Sequence, residues 1–428
     1  MSELNPKTEH LEFLGRFGAT AITVGVPLAT YLLYFGCSEE TGGCPPPLAL
    51  DRLTLALEDV PGILASLWDT KSTLQYLAWY AFCVVAWRIL PGDEVEGVLL
   101  RNGERKKYTL NAFSTYILAL GLVGGYIHQN GVQSFTFLYD QWVGFTTAAF
   151  LMSVVQAAYV YAASFRQGKL LALGGNSGSW IYDFFIGREL NPSIGSFDIK
   201  SFNELRPGLI LWVLIDISML CEQAVRRGGL VNVTASMWLT VVFHFIYVTD
   251  AQWNEAAIFT TMDITTDGFG FMLATGDLLW VPFTYSLQAR YLVFNQVELP
   301  WWGVAAVIAV EVAGFVIFRQ ANNQKNNFRS GKPSNLKFMT TKSGSKLITS
   351  GWWGRSRHPN YFGDLLMGLA WSLPTGFNTP ITYFYPIYFA GLLWHRRIRD
   401  DEACEAKYGE DWETYKKLVP YKIIPYVY

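Results

Sequence analysis

Residues 208–225, GLILWVLIDISMLCEQAV, form an apolar run with only a few polar residues inside it. A helix needs about 20 mostly apolar residues to cross the hydrocarbon layer of a bilayer, and this run has nearly that length. Working outward along the chain, we predict about ten such runs. They lie at 17–37, 72–90, 110–129, 135–164, 208–225, 230–248, 269–295, 300–320, 361–377 and 380–395. The predicted fold class is all-α, a polytopic integral membrane protein with about ten transmembrane helices.

The composition favours the same class. Of the 428 residues, 51% are hydrophobic and 16% are charged, whereas soluble domains carry about 25% charged residues. These proportions argue against soluble, disordered and coiled-coil proteins. The five Cys residues are too few for a disulfide framework. Cys37 and Cys44 lie together on a predicted outer loop, where they either form a disulfide or remain two free thiols.

The positions of basic residues predict the orientation. If the amino terminus lies in the cytoplasm, most of the 33 Lys and Arg residues fall in cytoplasmic segments, as the positive-inside rule requires. Both termini are then expected inside. One inner segment, 249–268, has no Lys or Arg and is acidic instead. We expect a function, rather than topology, to explain this acidic segment.

Ionisable residues within the predicted spans are concentrated in the second half of the chain. Such residues are costly in a bilayer, so they mark either sites or internal pairs. They are Asp216, Glu222, His244, Asp277, Arg290, Glu311 and Asp364. We therefore predict an amino-terminal transmembrane scaffold at 1–165 and a catalytic membrane domain at 166–428.

Three cytoplasmic segments, 322–332, 350–364 and 394–408, combine Arg and Lys with Trp, Tyr and His. The last two flank the final pair of spans, so they emerge side by side. Guanidinium groups bind phosphate oxygens and aromatic faces stack on heterocycles, which favours a nucleotide pocket. The alternative is that these bases bind lipid headgroups. The chain has no Walker or Gly-x-Gly-x-x-Gly sequence, and its scattered His residues predict no metal site.

Five motifs make the chain similar to a known family. They are WIYDFFIGRELNP at 180–192, FNELRPG at 202–208, DITTDGFGFML at 263–273 continuing into GDLLWVP at 276–282, RHPNYFGD at 357–364 and VPYKIIPYVY at 419–428. They resemble the sterol reductase family, and are closest to the Δ14-sterol reductases and the reductase domain of the lamin B receptor.

The resemblance implies reduction of the C14=C15 double bond of a sterol by NADPH. This reaction needs a proton donor, and the acidic segment at 249–268 offers Asp267, with Asp263 and Asp277 as alternatives or as stabilisers of a cation. The other interpretation of Asp267 is a turn residue before Gly268. The resemblance also implies a set of cofactor-binding residues with sterol and NADPH pockets in the second half of the chain. These residues are Lys325, Arg329, Trp352, Arg357, His358, Asn360, Tyr361, Asp364, Arg396, Arg399, Asp400, Cys404, Lys407 and Tyr408.

The alternative functions are a Δ7-sterol reductase of the same family and a membrane isoprenylcysteine-type methyltransferase that uses S-adenosylmethionine. A non-enzymatic sterol-sensing or scaffold protein is a third possibility. We expect the sterol to enter from the bilayer, membrane lipids to surround the protein, and no nucleic acid to bind. The cofactor site is expected to face the cytoplasm, in the endoplasmic reticulum of a eukaryote or the inner membrane of a bacterium.

Overall fold

The computed structural model describes residues 4–46 and 60–428, and these residues are mostly helical. The first helices are α1 (Gly15–Phe35), α2 (Val60–Ser66), α3 (Thr70–Ile89), α4 (Ala112–Asn130), α5 (Phe137–Asp140), α6 (Trp142–Ala163) and α7 (Trp180–Ile186). They are followed by α8 (Ile199–Leu205), α9 (Pro207–Arg227), α10 (Ala235–Trp253), α11 (Met262–Thr265), α12 (Phe271–Thr275), α13 (Val281–Thr284) and α14 (Leu287–Phe294). The last helices are α15 (Trp301–Arg329), α16 (Pro359–Ser372), α17 (Phe384–Tyr408) and α18 (Glu410–Leu418).

Short antiparallel hairpins are the sheet structure found in the described ranges. They pair β1 (Asp93–Leu99) with β2 (Arg105–Leu110), β3 (Ser193–Ile194) with β4 (Phe197–Asp198), and β5 (Phe338–Thr340) with β6 (Lys346–Ile348). All three lie in connections between predicted spans.

Within the described residues, four helical segments are long and apolar enough to cross a membrane. They are Gly15–Phe35, Trp142–Ala163, Ile199–Arg227 and Trp301–Arg329. The protein therefore has the helical membrane character that the sequence predicts. The full set of about ten spans stays a prediction.

The predicted span at 269–295 differs from one regular helix. It consists of α12, a π-helical turn at Gly276–Trp280, α13 and α14. Pro282 has no backbone N–H and cannot donate to the preceding turn, so regular helical bonding is interrupted here. Single π-turns of this kind are frequent at functional sites.

The chain forms two compact units. The first comprises Met1–Val233 with His244–Gln296, and the second comprises Thr234–Phe243 with Val297–Tyr428. The predicted boundary at residue 165 separates a scaffold from a catalytic domain, and it does not refer to these packed units. It stays a prediction.

In the first unit, the loop glycines of two sequence motifs pack against each other. A Cβ on Gly187 would lie 2.4 Å from the carbonyl carbon of Gly268, and the Phe269 N–H donates to the Glu189 carbonyl at 3.2 Å. Gly187 also has a φ of 95°, a conformation that only glycine adopts readily. The motifs at 180–192 and 263–273 are therefore halves of one packed structure.

In the second unit, α15 and α16 approach closely through two glycines. A Cβ on Gly314 would lie 2.8 Å from the Gly363 carbonyl oxygen, and one on Gly363 would lie 2.6 Å from the Phe318 nitrogen. Small residues at such a crossing let helix backbones come together in a bilayer. This packing fixes α16, whose amino-terminal end carries the RHPNYFGD motif.

The loop after α1 contains a disulfide between Cys37 and Cys44. Of the two possibilities that the sequence leaves open, the structure has the paired one. The free cysteines among the described residues are Cys83 and Cys221, which are buried, and Cys404, which is half-buried.

Candidate functional site

The basic and aromatic residues predicted to bind a cofactor surround the start of α16 in the second unit. The His358 ring stacks on Tyr361, with ring centroids 4.8 Å apart. The Tyr361 hydroxyl donates to an Asp400 carboxylate oxygen of α17 at 3.0 Å, and His358 Nδ1 lies 3.9 Å from the same oxygen. The structure thus brings these three predicted residues together.

Lys325 of α15 belongs to the same cluster. Its ammonium lies over the Trp353 ring, 4.6 Å from the centroid. It interacts electrostatically with four other residues of the predicted set, Arg329, Asp400, Cys404 and Arg396. A half-buried ammonium surrounded by polar and charged groups of this kind can bind phosphate as a point charge.

Arg357 is held by the carboxy-terminal tail. Its Nη1 donates to the Val419 carbonyl at 3.2 Å, and its backbone N–H donates to the Tyr421 carbonyl at 2.9 Å. The backbone N–H of His358 continues this pairing with the Lys422 carbonyl at 2.9 Å. The motifs at 357–364 and 419–428 are therefore adjacent.

His358 is kept neutral by its surroundings. Burial, together with the positive charges of Lys325, Arg357 and Arg397, lowers its pKa to about 3. Burial has the opposite effect on the Cys404 thiol, whose pKa it raises with help from Asp400 and Asp401. His358 can therefore act as a hydrogen-bonding group without carrying charge.

Several predicted residues have buried polar atoms that lack a hydrogen-bond partner within the described part of the chain. They include Nε of Arg357, Nε2 of His358 and Oδ1 of Asn360. Buried polar atoms are normally hydrogen-bonded, so these atoms call for a polar group from a ligand or from water. Beside the cations Lys325 and Arg357, these atoms fit the polar groups of a dinucleotide.

The other predicted cofactor residues differ in their contacts and in their exposure to solvent. The Trp352 indole donates to Gln320 at 2.9 Å, Asp364 is buried, and Arg399 is half-buried. Lys407 is exposed, and its ammonium lies 5.1 Å from the centroid of the Tyr408 ring. Because it is exposed, Lys407 is the predicted residue least suited to contact a ligand in an enclosed pocket.

Sequence reasoning missed one polar group in this unit, formed by Arg397, Asp401 and Tyr428. Arg397 donates from Nη1 to Asp401 at 2.9 Å and from Nη2 to the Tyr428 hydroxyl at 3.2 Å. The four-residue spacing of Arg397 and Asp401 on a helix was the available signal. The contact with the last residue had no sequence signal.

The predicted catalytic acids lie in the first unit, around a lysine that the sequence analysis did not identify. Lys200 is fully buried, and its ammonium donates to the backbone carbonyls of Asp263 at 2.7 Å and Asp267 at 2.7 Å. Asp277, in the π-helical turn, interacts electrostatically with Asp263 and Lys200. The structure therefore brings the three predicted acids to one charged cluster.

Gly208 of α9 makes room for Asp277. A Cβ at this position would lie 1.7 Å from the Asp277 carbonyl oxygen. No residue other than glycine fits there without a backbone shift. The motifs at 202–208 and 276–282 therefore meet at this contact.

The acidic segment at 249–268 has in part a structural role. Glu255 forms a buried ion pair with Arg206 at 2.9 Å and accepts the Ala112 N–H at 2.8 Å. Burial raises the pKa of Glu255, and Arg206 opposes this shift. Glu255 thus fastens the start of α4 to the start of α9.

A second buried polar pair lies further along α9. His244 Nδ1 and an Asp216 carboxylate oxygen are 2.8 Å apart, and both side chains are almost inaccessible to solvent. The Trp212 ring lies 4.8 Å from the His244 ring and 5.4 Å from the Tyr285 ring. The Asp216–His244 pair and the neighbouring rings thus combine a carboxylate with electron-rich aromatic groups, and groups of both kinds can stabilise a cation.

The chain matches known sequences over nearly its full length. The profile of a family described as the ergosterol biosynthesis ERG4/ERG24 family matches residues 7–428. The "Delta(14)-sterol reductase erg24" of Schizosaccharomyces pombe is 47% identical, over 97% of this chain and 97% of that protein.

Two further relatives extend the similarity. The "Delta(14)-sterol reductase ERG24" of Saccharomyces cerevisiae is 44% identical, over 100% of both chains. The "Delta(14)-sterol reductase LBR" of Gallus gallus is also 44% identical, over 97% of this chain and 64% of that protein.

Proposed function

The chain belongs to the ergosterol biosynthesis ERG4/ERG24 family, and on this premise we propose that it is an NADPH-dependent Δ14-sterol reductase of sterol biosynthesis. The observation that carries the proposal is the 47% identity to a relative named as a Δ14-sterol reductase, over 97% of both chains. The polar cluster around His358 and the acidic cluster around Lys200 support it with suitable chemistry.

The reaction needs a proton donor because an isolated alkene does not accept hydride. Protonation at C15 leaves a tertiary cation at C14, and hydride addition to C14 completes the reduction. NADPH supplies this hydride when it is bound and leaves as NADP⁺. The protein must deliver the proton, stabilise the cation and exclude water.

Asp267 is proposed as the proton donor. Its side chain is only 8% exposed, and Lys200 holds its backbone carbonyl in place. Asp263 and Asp277 are the alternative donors or cation stabilisers, because they belong to the same cluster. The carboxylate of Asp216 and the ring of Trp212 are also suited to stabilise the cation, because a negative charge and an electron-rich ring face attract positive charge.

The cofactor is proposed to bind in the second unit, in contact with the cytoplasm. Lys325, Arg329 and Arg396 provide positive charge for phosphates, including the 2′-phosphate that distinguishes NADPH from NADH. His358 and Asn360 offer the buried atoms that lack a partner within residues 4–46 and 60–428. The remaining predicted residues would complete the pocket. They are Trp352, Arg357, Tyr361, Asp364, Arg399, Asp400, Cys404, Lys407 and Tyr408.

The proposed membrane arrangement has ten spans and both termini in the cytoplasm. Residues 1–165 act as a scaffold and 166–428 carry the catalysis. The sterol enters from the bilayer in which it dissolves, and membrane lipids surround the spans. The host membrane is the endoplasmic reticulum in a eukaryote or the inner membrane in a bacterium.

A sterol panel tests the proposal. Purified protein in lipid nanodiscs is incubated with NADPH and with Δ14, Δ7 or Δ24(28) sterols, and the products are identified by mass spectrometry. Reduction of the Δ14 sterol is the expected result. Turnover of the Δ7 sterol alone would assign the chain to the other reductase activity. Methyl transfer from S-adenosylmethionine to an isoprenylcysteine would replace the reductase proposal altogether.

A further inference from the structure

A cavity of about 340 Å³ lies in the first unit, where several helices end. Its lining includes residues from the end of α1 and the following loop, from α5, and from α14. The predicted topology places these ends on the face opposite the cytoplasmic basic loops. In that topology the cavity lies at a membrane–water boundary.

Arg290 lines this cavity as a buried cation. It is 3% exposed, and its guanidinium group lies 4.5 Å from the centroid of the Tyr34 ring. It donates to the Leu33 and Tyr34 carbonyls at 3.2 and 3.3 Å, in the last turn of α1. Its Nε has no hydrogen-bond partner among the described residues.

No carboxylate within the described ranges lies within ion-pair distance of Arg290, and the exposed Glu40 acts on it only electrostatically. Neutral carbonyls and aromatic faces only partly compensate a buried positive charge, because burial removes its water shell. Arginine N–H groups left over in a cavity match the oxygens of a phosphate. The buried wall of the cavity thus favours an anionic group.

The rim of the cavity has the opposite charge. The Glu39 carboxylate already has partners within the protein. It forms an ion pair with Arg226 at 2.9 Å and accepts a hydrogen bond from the Tyr139 hydroxyl at 3.1 Å. Glu40 and Asp140 are exposed. Glu40 interacts electrostatically with Arg290 and hydrogen-bonds with Tyr34, and Asp140 accepts a hydrogen bond from the Thr136 hydroxyl at 3.1 Å. These two carboxylates, beside the ring of Tyr139, favour a cationic group.

We propose that this cavity binds a phosphate ester that also carries an ammonium group, the chemistry of a phosphatidylcholine or phosphatidylethanolamine headgroup. The phosphate oxygens contact Arg290, and the ammonium contacts Glu40 and Asp140. A simple anion would be repelled by the rim, and a simple cation by Arg290. Only a zwitterion satisfies both ends of the cavity.

Lipid binding to delipidated protein tests the proposal directly. Phosphatidylcholine and phosphatidylglycerol with identical acyl chains are compared by native mass spectrometry, so that only the headgroup differs. We expect wild-type protein to prefer phosphatidylcholine by at least about tenfold. Soluble phosphocholine is tested in parallel as a competitor; displacement at similar concentrations would identify a soluble ester, rather than a lipid, as the source of the same chemistry.

Variants identify the groups responsible. Arg290→Gln should weaken phosphatidylcholine binding at least about tenfold, but it also removes contacts to α1. The double variant Glu40→Gln with Asp140→Asn leaves Arg290 in place and should abolish the preference for phosphatidylcholine. Glu96→Gln, an exposed carboxylate on β1, is the matched control and should change nothing.

Two results would overturn the proposal. One is equal retention of both lipids by wild-type protein, which would indicate binding through acyl chains. The other is an unchanged preference in the double rim variant, which would exclude the ammonium contact. Neither result bears on sterol reduction, so this proposal and the enzymatic one fail independently.

Discussion

For single residues, the charge state of a side chain in this protein depends on the groups around it more than on its residue type. His358 stays neutral because it is buried among Lys325, Arg357 and Arg397. Lys200 is fully buried and binds backbone carbonyls of the segment that contains the predicted acids. A sequence shows neither environment, because the groups involved come from distant parts of the chain.

The first prediction concerns the ionisation of His358. Its pKa of about 3 lies far below the ordinary value of 6.5, so the imidazole is neutral throughout about pH 5.5 to 8.0. An ordinary histidine, with a pKa of about 6.5, would change its charge within this range. We therefore expect the ratio of NADPH affinities of wild type and His358→Gln to be constant over that range. The ratio cancels titration of the cofactor itself. A ratio that changes through an inflection near the ordinary histidine value would contradict the prediction.

The second prediction concerns the proton donor. Asp267→Asn removes the acidic proton without changing the size of the side chain, so turnover of a Δ14 sterol should fall by at least about a hundredfold. NADPH affinity, measured by calorimetry, should be unchanged, because the cofactor contacts are proposed in the second unit. The same measurement on Asp263→Asn and Asp277→Asn serves as the comparison. Full activity of Asp267→Asn would transfer the role to one of those residues.

At the element scale, glycines decide how the motifs pack. Gly208 admits the Asp277 carbonyl, and Gly187 admits the loop at Gly268. The motifs can be recognised in the sequence, but their pairing cannot. Residues 269–295 form one apolar run in the sequence, whereas the π-helical turn at Gly276–Trp280 interrupts this run in the structure. Periodicity detects a helix, but it does not detect a change of hydrogen-bonding pattern within one.

The third prediction tests the contact at Gly208. Gly208→Ala should destabilise the protein by about 1–3 kcal/mol, because the added methyl group overlaps a backbone carbonyl. The apparent melting temperature in detergent should fall. Gly276→Ala is the control, since a Cβ there meets nothing within 4 Å. Equal melting temperatures for the two variants would show that α9 does not pack as described.

At the scale of the whole molecule, much of the class could be predicted and little of the site geometry. The family resemblance is confirmed by the match over residues 7–428, and four helical segments of the described ranges have the length and apolar character of membrane spans. Contacts such as Arg397 to Tyr428 and Arg206 to Glu255 could not be predicted, because they join residues that no periodic pattern relates.

The fourth prediction tests the ten-span topology. Ser343 and Gln133 are exposed and lie on predicted inner and outer segments, respectively. In sealed vesicles of known orientation, a membrane-impermeant maleimide should label Ser343→Cys only from the cytoplasmic side and Gln133→Cys only from the opposite side. Wild-type protein measures the background from Cys404. Labelling of both positions from one side would require a different number of spans.

Isotope placement tests whether the protein reduces a C14=C15 bond by proton and hydride addition. Purified protein is given a Δ14 sterol with NADPH that carries deuterium at the transferred position, and separately with ordinary NADPH in D₂O. We expect deuterium at C14 in the first product and at C15 in the second. A saturated product without cofactor deuterium at C14, or no reduction of this sterol at all, would contradict this mechanism.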